Sequence, residues 1–410
     1  MRLHGGIDLP LRLWNGRRLG PADPSFLITL RDPGSLRAML WPPSDMTAGK
    51  AYLNGAVEVE GDLLAAIGAG ERLGRMKDGP WWRTAVVGAA ILALPAPPEA
   101  FRSGSGRAQL QGAMHSRERD RQAIAFHYDL PSAFYETFLD RELVYSCAYF
   151  DTPMGDLDLA QRRKLDLVCR KLRLEPGQRL LDVGCGFGSL LLHAARDYGV
   201  TGLGVTLSQT QAETAQKLIA EAGLSDRIEV RLMDYRDVDE RFDVVASIGM
   251  IEHVGPEHLP GWFAAVRASL KPGGLLLCHG ITLGDADHVR RGDEETFVTG
   301  YVFPDGGLVP AWQAVRDLQQ AGFGLLDVEQ LRPHYAWTLR RWLQRLEAHR
   351  ERAVEAGGQS AFRTWRMYMA GSAYSFETGS LEVVQLLGRA PGGEPADLPL
   401  GRTWMEPHIS

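Results

Sequence analysis

Leu180-Leu181-Asp182-Val183-Gly184-Cys185-Gly186-Phe187-Gly188 is an apolar run broken by one acid that passes into three alternating glycines. The apolar part reads as a buried strand, and a helix is expected from about Ser189. Between them the glycines let the chain turn sharply and let a ligand come close to the backbone. Several nucleotide-binding families share a Gly-x-Gly-x-Gly turn of this kind, so the flanking sequence has to decide its use. Outward from it, Arg179–Val183, Thr201–Thr206, Arg227–Met233, Phe242–Ile248 and Gly274–His279 are strand-like runs, each followed by a helical pattern or a turn. That alternation belongs to an α/β fold with a doubly wound, Rossmann-like parallel sheet.

The second of these strands ends Gly204-Val205-Thr206-Leu207-Ser208, with no acid at its tip. A dinucleotide enzyme places a carboxylate there to hold ribose hydroxyls, so an ordinary NAD site is disfavoured. Gln211, one turn into the next helix, offers hydrogen bonds to a ribose instead. Asp234-Tyr235 supplies an acid and a ring suited to an adenine amine and its face. The fourth strand ends in Ser247-Ile248-Gly249-Met250-Ile251-Glu252-His253-Val254-Gly255. After a turn at Lys271-Pro272-Gly273-Gly274, the fifth delivers Cys278-His279-Gly280-Ile281 to the same sheet edge. Groups able to exchange protons, converging on the edge where open α/β sheets bind ligands, point to a reaction site.

A chain of 410 residues is long enough for two domains. Residues 1–94 alternate short strands with helical stretches and read as an accessory α+β module. Its last run, Ala85–Leu94, is too short to span a membrane and reads as a core helix, although the preceding Trp81 and Trp82 are also a mark of interfacial lipid contact. Prolines at 95, 97 and 98, Ser103–Gly106 and scattered arginines make residues 95–120 a linker. Residues 121–395 form the catalytic domain, with a helical insertion at about 330–370 that includes the basic, tryptophan-rich stretch Trp337, Arg340, Arg341, Trp342 and Arg345. Such charge runs are ordinarily solvated helix faces; here they also offer cations to anionic lipid headgroups.

A net charge of -6 gives no overall attraction to nucleic acid. Cys147, Cys169, Cys185 and Cys278 lack the C-x-x-C spacing of zinc or redox sites, and a reducing cytoplasm is the expected home. No stretch approaches the roughly 18 apolar residues of a spanning helix.

Upstream of the Gly-rich turn stand Phe126-His127-Tyr128-Asp129-Leu130 and Tyr145-Ser146-Cys147-Ala148-Tyr149-Phe150. These, with Leu181–Gly186, Gly204–Ser208 and Gln211, Asp234-Tyr235-Arg236-Asp237, Glu252-His253-Val254-Gly255 and Tyr301-Val302-Phe303-Pro304, occur in the order found in the cyclopropane fatty acid synthase family. The chain resembles that family, which includes the mycolic acid cyclopropane synthases, over residues 120 to 390. The N-terminal module is loosely similar to that of the longer bacterial members, through Ala51-Tyr52-Leu53-Asn54-Gly55.

The resemblance implies a class I methyltransferase fold binding S-adenosylmethionine through Tyr128, Tyr145, Ser146, Asp182, Gly184, Gly186, Thr206, Ser208, Gln211, Asp234 and Tyr235. It implies methyl transfer to a cis double bond in a phospholipid acyl chain, followed by proton loss from the carbocation and ring closure. The base implied is a bicarbonate ion held by Cys147, Glu252, His279, the backbone of Ile281, and Tyr335. Aromatic faces at Tyr301, Phe303 and Tyr335 suit a developing positive charge. The resemblance further implies peripheral attachment to the inner face of a membrane, where the unsaturated phospholipid lies, and a homodimer formed through the N-terminal module.

Two departures stand out: Gly186-Phe187-Gly188 where many members carry Trp, and Ala370-Gly371-Ser372-Ala373 where some carry a cysteine. Relatives that stop at a methyl- or methylene-branched chain share the same framework. A methyltransferase for a small soluble metabolite would work without lipid, and a non-catalytic lipid-binding protein would show damage in the Gly-rich turn or at Glu252 and His279, where none is visible.

Overall fold

The computed structural model describes residues 9–42, 44–74, 81–99, 106–153, 155–284, 296–393, 399 and 401–406. The chain forms two compact units that interleave in sequence. Unit 1 comprises Met1–Gln109, Glu294–Pro304 and Gly357–Tyr374, and unit 2 comprises Leu110–Asp293, Asp305–Ala356 and Ser375–Ser410.

Unit 1 is built on strands β1 (Leu11–Arg12), β2 (Arg18–Leu19), β3 (Phe26–Leu30) and β4 (Val57–Gly61), in the order β2-β1-β3-β4. Alternation in β3 turns Phe26, Ile28 and Leu30 to one face, where they pack with Ala51, Val57, Ala66 and Ala69. Its helices are α1 (Ser35–Leu40), α2 (Asp45–Leu53), α3 (Leu63–Gly74) and α4 (Trp81–Leu92). The Ala85–Leu94 run is helical as far as Leu92, but it is not a core helix: Ala85, Val86, Ala89, Ala90 and Leu92 are exposed. With almost no polar residues, the run has no periodic stripe from which burial could be read. The side chains of Trp81 and Trp82, and residues 100–105 of the expected linker, lie outside the described residues.

The Gly357–Tyr374 segment joins unit 1 through two buried arginines. Arg363 donates to the Tyr52 and Val57 carbonyls and to the Glu58 carboxylate, with its guanidinium 4.2 Å from the centre of the Tyr52 ring. Arg366 donates to the Tyr52 hydroxyl and to the carbonyls of Val59 and Gly61. The helical region expected as one insertion at about 330–370 is therefore divided. Arg332–Ala348 lies in unit 2, while the helix Arg350–Thr378 turns non-helical at Gly358 (φ 81°) just after entering unit 1.

Unit 2 holds a seven-stranded sheet of β5 (Arg179–Val183), β6 (Thr201–Thr206), β7 (Ile228–Leu232), β8 (Phe242–Ile248), β9 (Leu270–Leu283), β10 (Gly324–Gln330) and β11 (Leu381–Arg389). The order is β10-β11-β9-β8-β5-β6-β7, parallel from β9 through β7, with β11 antiparallel to both β9 and β10. The strand order reverses direction between β5 and β8, and the carboxyl ends on either side of that point form the crevice where such sheets bind ligands. Lys271-Pro272-Gly273-Gly274 is not a separate turn but the irregular start of β9. Gly273 takes φ 76°, and the register against β8 shifts between Phe242 and Val244.

Helices α5 (Arg117–Tyr128), α6 (Ser132–Tyr135), α7 (Leu157–Lys171), α8 (Ser189–Tyr198), α9 (Gln209–Glu221), α10 (Ile251–Val254) and α11 (Leu259–Ala268) accompany the sheet. One face packs on Leu165, Val168 and Cys169 of α7, Leu190 and Leu191 of α8, and Ala212 and Ala215 of α9. The other packs on Trp262, Phe263 and Val266 of α11 with Ala314 and Leu318. Both faces are covered, which explains why the central strands read as unbroken apolar runs. Among the described residues no helix is long and apolar enough to cross a membrane.

Candidate active site

The Gly-rich turn leaves β5 with Gly184, Gly186 and Gly188 all at positive φ (78°, 55° and 80°), a path that side-chain-bearing residues resist. The N–H groups of Gly184 and Cys185 both donate to the Val205 carbonyl, which fastens the turn to β6. A Cβ at Gly188 would lie 3.3 Å from Ala215 Cβ, so α8 and α9 meet closely there.

At the end of β6, Thr206 Oγ1 donates to Gln211 Oε1 at 2.9 Å, and the Ser208 hydroxyl accepts from the Gln211 N–H, capping α9. With its oxygen engaged, Gln211 turns its amide nitrogen toward Gly186, 4.0 Å from where a Cβ would stand. The Ser208 hydroxyl donates to Asp129 at 2.6 Å, and the neighbouring Tyr128 hydroxyl lies 3.1 Å from His253 Nε2. Tyr128 and Tyr145 meet edge to face, 6.2 Å between centroids. Six of the residues expected around a cofactor (Tyr128, Gly184, Gly186, Thr206, Ser208 and Gln211) are thus linked, directly or through one neighbour, around one turn.

Asp182 stands inside the same region, and burial pushes its carboxyl up to about 7 against the pull of Lys164. Lys164 itself is sealed in the interior, where burial draws its ammonium down to about 8 while Asp140, Cys147 and Asp182 oppose the fall. It donates to Ser146 Oγ at 3.0 Å. Sequence reasoning missed this lysine. Its signal is a polar residue on the apolar stripe of α7, in step with Leu157, Ala160, Leu165 and Val168.

Asp234 and Tyr235 follow β7 as expected, yet the Asp234 carboxylate is already occupied. It accepts from the Arg236 backbone and guanidinium, and Arg236 also reaches Asp120. The guanidinium sits 5.4 Å from the Tyr235 ring centre.

Of the expected anion-binding residues, Glu252, His279 and Ile281 lie at the carboxyl ends of β8 and β9. Glu252 Oε1 accepts the Ile281 N–H at 2.8 Å, while Oε2 is buried without a hydrogen-bond partner among the described residues, beside Gly280. Burial pushes this carboxyl up to about 7, against the pull of the Ile281 N–H. His279 is buried; its Nδ1 lies 3.1 Å from the Gln385 amide nitrogen, and its Nε2 is another buried atom without a partner among the described residues. Burial draws the imidazole down to about 3, with Lys164 and Lys171 adding to the fall, so the ring is neutral.

Cys147 points its sulfur at the Ala148 and Leu331 carbonyls, and burial pushes its thiol up, so it is not a thiolate. Its segment is bolted to the Arg332–Ala348 helix. The Ala148 N–H donates to Thr338 Oγ1, the Phe150 N–H donates to His334 Nδ1, and Tyr149 stacks on His334 at 4.7 Å. Tyr335, one turn into that helix, packs on Phe376 with 4.7 Å between ring centres.

The arginines expected as a basic face on this helix are exposed or half-buried and paired with acceptors of their own unit. Arg340 pairs with Glu377, Arg341 reaches the Pro153 and Gly155 carbonyls, and Arg345 binds the Leu139 carbonyl and Asp158. Of the expected aromatic walls, Tyr301 stacks on Phe297 and Phe303 meets Tyr368 within unit 1, whereas Tyr335 belongs to unit 2.

Residues 115–386 match the family model described as mycolic acid cyclopropane synthetase. A probable fatty acid methyltransferase of Pseudomonas putida is 37% identical over 391 residues, covering 94% of this chain and 92% of that one. The solved cyclopropane synthase MmaA2 of Mycobacterium tuberculosis is similar with a TM-score of 0.62 and 33% identity, over 66% of this chain and 98% of that one. The mycolic acid cyclopropane synthase CmaA1, solved in complex with SAH and CTAB, gives a TM-score of 0.62 at 32% identity over 66% of this chain and 98% of that one. With a family model matching residues 115–386 and a relative 37% identical over 94% of the chain, the chain belongs to the mycolic acid cyclopropane synthetase family of S-adenosylmethionine-dependent methyltransferases.

Proposed function

We propose that this protein transfers a methyl group from S-adenosylmethionine to the cis double bond of a phospholipid acyl chain, and that loss of a proton then closes a cyclopropane ring. The observation that carries this reading is the pair of buried polar atoms, Glu252 Oε2 and His279 Nε2, that have no partner among the described residues, at one sheet edge beside the Gly-rich turn. Buried polar atoms without partners are costly, at about 1–3 kcal/mol each, and mark a place where something polar binds.

When bound, S-adenosylmethionine supplies an electrophilic methyl that needs no metal. The three glycines allow close approach of its backbone-facing part, and Gln211, with its oxygen held by Thr206, presents an amide nitrogen to the turn. Asp182 and Tyr128 flank that turn, while Ser208 ties α5 to α9 through Asp129. The occupied Asp234 carboxylate supports a role in fixing Arg236 and Tyr235, with the adenine amine left to other acceptors.

The edge residues fit a small oxyanion such as bicarbonate, which would supply the base that takes the departing proton. Glu252 Oε2 offers an acceptor or, near its pKa of about 7, a proton, and His279 Nε2 adds a second polar contact. A protonated thiol and a phenol are weak nucleophiles, so Cys147 and Tyr335 can face a developing positive charge without being alkylated. Attachment to the membrane surface and pairing of two copies through the N-terminal residues belong to this proposal.

A second reading, methyl- or methylene-branched product from the same site, is favoured by the name of the relative that matches 94% of the chain, a probable fatty acid methyltransferase. The test is to incubate the protein with S-adenosylmethionine, bicarbonate and vesicles of cis-monounsaturated phospholipid, then analyse fatty acid methyl esters by mass spectrometry. Gain of one CH2 with the alkene gone and a ring detected is the expected outcome. The same mass with an alkene retained selects the second reading, and methylation only of soluble acceptors overturns both. Glu252→Ala and His279→Ala should each lower turnover by about 10²–10⁴-fold.

A further inference from the structure

Resting on the anion-site reading of Glu252 and His279, we infer that Gln385 is a positioning residue that fixes His279 as the neutral tautomer protonated on Nε2, so that the imidazole donates a hydrogen bond into the site and does not take up the reaction's proton. Gln385 lies at the centre of β11, directly opposite His279 on β9 in the antiparallel register, and both side chains are buried. The side-chain nitrogen of Gln385 is 3.1 Å from His279 Nδ1. In this orientation the amide nitrogen donates, which makes Nδ1 the accepting, unprotonated nitrogen of the ring and leaves Gln385 Oε1 buried without a partner among the described residues. The ring's single proton then sits on Nε2, the nitrogen that has no partner among the described residues.

The surroundings keep the ring from taking a second proton. Burial disfavours the imidazolium, and the ammonium groups of Lys164 and Lys171 on α7 disfavour it further. Lys171 is itself held by Asp327 and Glu329 of β10, so its charge is fixed in place. On the opposite side Glu252 directs Oε1 to the Ile281 N–H, leaving Oε2 to face the interior. The site therefore offers one neutral donor, His279 Nε2–H, and one carboxyl oxygen. This combination suits an oxyanion that accepts from the imidazole and shares a proton with the carboxyl group. The proton leaving the acyl chain then goes to an oxygen, of that anion or of Glu252, because His279 has no accepting nitrogen exposed to it.

The test uses the full-length protein labelled with ¹⁵N-histidine. The His279 signals, assigned by their loss in His279→Ala, should show Nε2 protonated and Nδ1 bare. Gln385→Glu presents an acceptor to Nδ1 and should move the proton there. It should lower kcat by about 10- to 100-fold, the usual cost of losing a group that orients a ligand-binding histidine, with KM for S-adenosylmethionine unchanged. A protonated Nδ1 in the unmodified protein overturns the proposal, as does full activity of a well-folded Gln385→Glu. If Gln385→Glu does not fold, the spectrum of the unmodified protein still decides. Full activity of His279→Ala would instead remove the anion-site reading, while the tautomer measurement would stand on its own.

Discussion

Glu252 and Asp182 are carboxyl groups sealed in the interior, and burial pushes each up to about 7. An acid with a raised folded-state pKa gives its full contribution to stability below its unfolded pKa, near 4, and loses it as the pH rises through about 7. Glu252→Gln should therefore raise the melting temperature more at pH 8 than at pH 5 while lowering turnover; an equal shift at both pH values would show that the carboxyl ionises without penalty. Lys164→Met removes the one charge that favours ionised Asp182. S-adenosylhomocysteine binding to that variant should weaken more steeply between pH 8 and 6.5 than in the unmodified protein, by about tenfold at the acid end, the effect of about one pKa unit. Parallel titration curves would disconnect Lys164 from the cofactor site. Neither Lys164 nor Gln385 is marked by a motif: each is one polar residue in an apolar helix or strand, and only folding aims it at the site. Glu252, His279 and Asp182, by contrast, were legible because each lies where an apolar strand gives way to glycine or a short turn.

Among the elements, β5, β6 and β8 appear over the same residues that the apolar runs indicate, because strands buried on both faces leave no ambiguity of phase. β10 and β11 were missed: Asp327 and Glu329 interrupt the apolar run of β10, as Glu382 and Gln385 do that of β11. The Arg332–Ala348 helix was legible as a helix but not in the pairing of its arginines, since the acceptors that claim them lie up to 206 residues away in sequence. The N-terminus of α9 joins three parts of the cofactor region through one hydroxyl. Ser208→Ala loses the cap on α9 and the bond to Asp129 together. It should cost about 1 kcal/mol of stability from the cap. It should also weaken S-adenosylhomocysteine binding measurably by calorimetry, and unchanged affinity would assign Ser208 a structural role alone.

At the scale of the molecule, the sequence suggests one cut near residues 95–120, whereas the compact units share the chain in alternation. The reason is local: Arg363 and Arg366, deep in the C-terminal half, find carbonyl acceptors at Tyr52, Val57, Val59 and Gly61. The relative MmaA2 is covered almost whole by two thirds of this chain, so the family fold exists without a counterpart for much of the remainder. Here, however, removing residues 1–109 would leave those two arginines without the groups that satisfy them. The fragment 110–410 should aggregate or melt well below the full chain, and Arg363→Gln with Arg366→Gln should partly restore its solubility. A fragment melting like the whole protein would show the arginines to be dispensable.

The same interleaving sets a timetable for synthesis. When residues 1–109 have been made, the sheet they form still lacks its arginine partners, which lie beyond the segment boundary at Gly357. Unit 1 cannot close until Tyr374 has emerged, and β11 cannot enter the unit 2 sheet until Leu381–Arg389 follows. The last segment of unit 1 and the strand that completes the unit 2 sheet therefore follow one another closely along the chain.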